Sequence, residues 1–88
     1  MQVEKKIVNN DTFLNMSVDA QVLYFHLCAN ATEDGFVYNS QGILRMLSLD
    51  ANPLTEIISL GFANFVPTGI KICSFAEYIE IVVNEIGE

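Results

Sequence analysis

The sequence predicts an α+β fold, mostly helical, and three observations carry that prediction. Apolar residues recur at helical spacing over residues 17–29, 40–60 and 74–86. Two β-prone runs, residues 62–66 and 70–73, flank Pro67-Thr68-Gly69. A third run, Phe36-Val37-Tyr38, follows the turn-forming string Thr32-Glu33-Asp34-Gly35. The chain has 88 residues, 51% of them apolar. That is enough to bury roughly three-fifths of the unfolded surface in a single core, so residues 1–88 are read as one domain. The same balance excludes a disordered tail.

Asp11 is expected to cap a first short helix whose core side is Phe13, Leu14 and Met16. Ser17 caps a longer helix, with Asp19 in the first turn where the helix dipole favours it. There Val18, Val22, Phe25 and Ala29 follow i, i+4, i+7, i+11 and are expected to face the core, with Ala20, Leu23 and Leu27 widening the buried side. A third helix begins at Asn39 or Ser40, where Ile43, Leu44, Met46 and Leu47 are apolar and Arg45 points outward. Asn52 as N-cap and Pro53 at the first helical position start a fourth, whose apolar face is Leu54, Ile57, Ile58 and Leu60. Gly61 stands where a left-handed residue ends such a helix. Pro67-Thr68-Gly69 forms a three-residue hairpin loop. Ser74 caps the last helix, with Phe75, Tyr78, Ile79, Val82, Val83 and Ile86 inward. Glu77, Glu80, Asn84 and Glu88, with Glu85 close by, lie opposite as an acidic face, and Ile81 is placed on the outer side. A strand, a helix pair and a hairpin in that order make a winged helix-turn-helix with a small β-hairpin wing, here extended by a C-terminal amphipathic acidic helix.

Charge narrows the function classes. Eleven carboxylates face four cations, Lys5, Lys6, Arg45 and Lys71, for a formal charge of −7. Polyanion binding works by releasing counterions against clustered Lys and Arg, and four cations hardly make a cluster. If DNA is bound, Lys5, Lys6, Arg45 and Lys71 contact it around residues 53–60, with Thr55 and Ser59 facing base edges.

No catalytic residue, metal ligand set or cofactor is expected. His26 is the single histidine, and Cys28, two positions on, projects to a different side of the helix. Ser17, Ser40, Ser48, Ser59 and Ser74 have no base with an orienting carboxylate. Gly42 and Gly61 are isolated and build no phosphate loop. Glu33-Asp34 lacks the spacing of a calcium loop and reads as a solvated turn. Cys28 and Cys73 are expected to remain buried thiols in a reducing cytoplasm. No secretory h-region and no membrane-length apolar run is present, so no membrane partner is expected.

From about residue 5 to residue 73 the chain resembles the N-terminal domain of phage replisome organiser proteins. The residues carrying this are Lys6-Ile7, Asp11, Phe13-Leu14, residues 21–27 (Gln-Val-Leu-Tyr-Phe-His-Leu) and residues 33–37 (Glu-Asp-Gly-Phe-Val). Asn39, Ile43, Arg45-Met46 and Leu60-Gly61-Phe62 continue it in order. The resemblance implies a winged helix, origin-DNA binding and the cytoplasm of a bacterial host. The departures concern charge. Family lysines ahead of the Ile-x-Arg-Met segment are replaced by Ser40-Gln41-Gly42, and a basic, aromatic segment after the hairpin is replaced by residues 75–80, which carry Glu77 and Glu80. Family members continue into a further domain and this sequence stops at Glu88, from which a free-standing module is expected.

Two functions follow. The first is a non-enzymatic module that binds a protein partner, in its sharpest form an inhibitor of a nucleic-acid-handling host protein of anti-defence or anti-CRISPR type. Its acidic face, Glu77, Glu80, Glu85 and Glu88, would fill a basic groove. The alternative is the DNA-binding replication-initiation module of the family. Homodimerisation through Ile81 is a third reading.

Overall fold

The computed structural model describes the chain through residue 86, and its side chains through Val83. It is an α+β structure. The described residues form, in order, α1 (Lys5–Val8), α2 (Asp11–Leu14), α3 (Val18–Ala29), β1 (Phe36–Val37), α4 (Ser40–Met46), α5 (Asn52–Ser59), β2 (Ala63–Val66), β3 (Gly69–Ile72) and α6 (Phe75–Ile86). The strands form an antiparallel sheet in the order β1-β3-β2. None of the described helices is long and apolar enough to cross a membrane.

The core is built around aromatic rings. Phe13 meets Tyr24 edge-on at 5.1 Å between centroids and Phe62 edge-on at 5.7 Å. Phe62 in turn stacks on Tyr78 at 4.7 Å, which ties α6 to the body. The edge-on pairs add to simple area burial because the electron-poor edge of one ring meets the electron-rich face of another. Ile7 is also fully buried, and it anchors α1, a helix that the sequence pattern did not announce.

The largest correction concerns α3. Its buried side is Ala20, Leu23, Tyr24, Leu27 and Cys28, while Val18, Val22, Phe25 and Ala29 face outward. Both sets obey helical spacing on a helix with an apolar stripe on each of two sides, so period alone does not choose between them. The aromatic cluster decides it: the Tyr24 ring packs edge-on against Phe13 and Phe62 and is buried with them, which turns Val22 and Phe25 outward.

Smaller shifts have local causes. Asn10, not Asp11, caps α2: its Oδ1 accepts from the Thr12 N–H at 2.8 Å, leaving Asp11 inside the first turn. Leu14, expected on the core side of its helix, is exposed, and so is Met46 among the apolar residues of α4, whereas Phe13, Met16, Ile43 and Leu44 are buried. Helix α5 begins one residue earlier than expected, with Ala51 at the N-cap and the Asp50 carboxylate accepting from the Asn52 N–H at 2.9 Å. Val66 pairs with Gly69, so the hairpin loop is Pro67-Thr68 alone. On α6, Tyr78 is buried and Phe75 and Val82 are half-buried, but Ile79 and Val83 are exposed; the side chains of Asn84, Glu85 and Ile86 and all of Glu88 lie outside the described residues.

Helices α4 and α5 end in the same way. The N–H of Ser48 donates to the Arg45 carbonyl and that of Leu49 to Leu44; after α5, Gly61 donates to Ile58 and Phe62 to Ile57. Both are Schellman ends, which place one residue in the left-handed region. At α5 that residue is Gly61 (φ +91°), as the sequence predicts, but at α4 it is Ser48 (φ +57°). A side chain there costs about 1–2 kcal/mol of backbone strain. Ser48→Gly is therefore expected to raise stability by about 0.5–1 kcal/mol, net of the entropy glycine adds to the unfolded chain. Thermal unfolding of the two proteins side by side measures it, and a lowered melting temperature would count against the assignment.

Candidate functional site

Helix α5 holds the position where a reading helix is expected. Pro53, Leu54 and Ile57 turn inward, leaving Thr55 and Ser59 exposed. Neither hydroxyl points its proton outward. Thr55 Oγ1 donates to the Ala51 carbonyl and Ser59 Oγ to the Glu56 carbonyl, each at 3.1 Å. Glu56 is committed to α3: its Oε2 accepts from the Ser17 N–H and its Oε1 from the Ser17 hydroxyl, both at 2.8 Å. The Ser17 oxygen accepts in turn from the Ala20 N–H at 3.1 Å, as its predicted capping role requires. A carboxylate at the positive end of a helix is favourably placed, so Glu56 fixes the angle between α5 and α3.

The four cations sit on three elements. Lys5 and Lys6 lie on α1, Arg45 in the last turn of α4, and Lys71 on β3. Lys6 Nζ stands over the Phe75 ring at 5.6 Å from its centroid, a cation–π contact. Lys71 Nζ lies 3.1 and 3.0 Å from the two Glu77 carboxylate oxygens. Arg45 and Lys5 are exposed.

The acidic helix is only partly a free acidic face. Ser74 and Glu77 form a capping box: the Glu77 N–H donates to Ser74 Oγ at 3.2 Å, and the Ser74 N–H donates to Glu77 Oε1 at 2.8 Å. From the far end of the chain, Glu4 Oε1 accepts from the Phe75 N–H at 2.9 Å. Glu77 therefore closes the start of α6 while its side chain stays about half exposed (49%). Glu80 is exposed as expected. Glu85 and Glu88, the remaining members of the expected face, fall outside the described side chains. Ile81 is half-buried rather than outward; with Val82 it lines a cleft of about 230 Å³ whose other walls are residues 58–61 and Asn64.

Glu77 links this geometry to pH. The hydrogen bond from the Ser74 N–H, then that from Lys71, hold its carboxyl below the usual carboxylate range. A folded value below the unfolded one stabilises the fold at every pH above the unfolded value, about 4.3 for glutamate. The gain is lost as pH falls through the folded value. Glu77→Gln is expected to lower the urea midpoint at neutral pH and to shrink its fall on acidification. Equal pH dependence in both proteins would refute the role.

The thiols are enclosed. Burial raises Cys28 and Cys73 above ordinary cysteine, against smaller opposing effects of the Tyr24 hydroxyl on Cys28 and of Lys71 and the Asn64 amide on Cys73. Asn64 Nδ2 donates to Cys73 Sγ at 3.3 Å. Both cysteines are unpaired with one another.

Sequence reasoning missed Glu4 and Glu56, whose partners lie 71 and 39 positions away. The pair Ser74 and Glu77 was legible as the S-x-x-E spacing of a capping box. Comparison of the chain with family models, with curated proteins and with solved structures finds no match.

Proposed function

We propose that this protein is a winged-helix module of phage replisome organiser type that acts on a protein partner in a bacterial cytoplasm and catalyses no reaction. The order α3, β1, α4, α5, β2, β3 and the β1-β3-β2 sheet support the winged-helix reading. One observation carries the choice of partner. The Thr55 and Ser59 hydroxyls on the outer turns of α5 are spent on the chain's own backbone, and the helix's one charged group is the Glu56 carboxylate, itself held by Ser17. A duplex reader needs donors toward base edges and cations over flanking phosphates. A net charge of −7 favours encounter with a basic protein surface, and Glu80, an exposed acid of α6 that makes no ion pair among the described residues, would meet a basic nucleic-acid groove.

The alternative, a DNA-binding replication-initiation module, is favoured by the architecture, with Arg45, Lys5 and Lys6 as its anchors. Fluorescence polarisation with a labelled mixed-sequence duplex at low salt separates the two. Our reading expects no binding up to tens of micromolar, and displacement of the duplex from a basic DNA-binding protein that weakens with Glu80→Lys. Micromolar duplex binding that falls steeply with salt and is lost in Arg45→Ala would establish the alternative.

A further inference from the structure

We infer that the outward ridge of α3 is a self-association surface, on which two copies pair their α3 helices antiparallel about a two-fold axis between Val22 and Leu23. Val18, Val22 and Phe25 are exposed at 74%, 41% and 44%. Helix α3 is apolar on both sides, and a helix of that kind is normally covered on both. Phe25 is a prepared anchor: its ring is held edge-on at 6.1 Å from Phe13 and 6.3 Å from Tyr24, so little side-chain freedom remains to be lost on contact.

The occupant is argued from charge. Asp19 and His26, seven residues and about two helical turns apart, border the ridge on the same flank. In an antiparallel pair related by a two-fold axis, that flank stays on one side while the direction reverses. Position 19 of one copy then faces position 26 of the other, twice. Each Asp19 carboxylate meets an imidazole able to donate an N–H, and the two helix dipoles oppose each other favourably. An isologous contact needs this self-complementarity.

The size of the ridge sets the strength. A 12-residue helix is about 18 Å long, and a single helix-on-helix contact of that length lies at the small, transient end of interface areas. Dimerisation is therefore expected at tens to hundreds of micromolar. The two bodies carry −7 each, so added salt screens their repulsion and tightens the pair. That sign is opposite to the one expected for a basic partner, so this inference stands or falls separately from the protein-partner reading.

Sedimentation velocity on the full chain, from about 10 μM to about 1 mM at low and moderate salt, tests it. The expected result is a concentration-dependent rise to twice the monomer mass, stronger at moderate salt. Val22→Glu, at an exposed position, should remain monomeric throughout with an unchanged circular dichroism spectrum. Asp19→Lys and His26→Glu should each weaken the dimer at least several-fold, and the double variant should restore it. A monomer at every concentration, or a dimer indifferent to Val22→Glu, overturns the inference. Failure of the double variant to recover overturns the antiparallel register.

Discussion

Replacing Phe62 by alanine is expected to cost about 3–5 kcal/mol, the range for removing a buried aromatic ring that its neighbours cannot close over. Domains of this size are stable by roughly 5–15 kcal/mol in all, so the variant should be close to unfolding at room temperature. Phe62 has no exposed surface. Its ring is edge-on to Phe13 and Tyr24 and stacked on Tyr78, so α2, α3 and α6 all lose a contact together. Its backbone also closes the end of α5 through the Ile57 carbonyl and accepts from the Cys73 N–H at 3.0 Å; those bonds survive the substitution. The loss therefore isolates ring packing. Phe62→Leu, which leaves a smaller cavity, should cost a fraction as much. Urea unfolding of the three proteins checks the order, and a loss under about 1 kcal/mol for Phe62→Ala would mean that the aromatic cluster is not what joins α6 to the body.

How much of this was readable beforehand depends on how far apart the interacting groups lie. The Ser17 cap, the glycine end of α5 and the Ser74 cap involve residues a few positions apart, and local spacing encodes them. The hairpin was legible for the same reason, although its loop is Pro67-Thr68 because Gly69 is drawn into the ladder opposite Val66. The inward face of α3 was not legible, since two apolar stripes on one helix satisfy the same period and only the burial of Tyr24 separates them. The candidate site suffered most. Glu4, Glu56 and Glu77 count as three identical negative charges in a sequence, yet each is consumed in closing a helix N-terminus. Net charge therefore overstates the acidity offered to a partner, while leaving the scarcity of cations untouched.

Gly69→Ala is expected to destabilise by about 2–4 kcal/mol, and to do so locally first. Gly69 opens β3 at φ +150°, a conformation that side chains resist. Space is also lacking: a Cβ there would collide with the Val37 carbonyl oxygen and press on the Tyr38 Cα at 3.3 Å. The obstacle is backbone, so no rotamer relieves it. Overpacking of about 1–3 kcal/mol adds to the left-handed strain. The cheapest response is for β1 to leave β3, breaking the pairing of Phe36 with Lys71 and of Val37 with Ile70. The neighbouring bond from the Ile72 N–H to the Gly35 carbonyl, 2.8 Å, would open with it. Hydrogen exchange should then show the Ile72 amide losing protection while α3 and α5 amides lose only the global part. Thr68→Ala, one residue away in the exposed loop, should stay within about 0.5 kcal/mol of the parent. If exchange rose uniformly instead, β1 would belong to the same cooperative unit as the helices. Its tie to β3 would then be as strong as the hairpin itself, even though β1 is only two residues long.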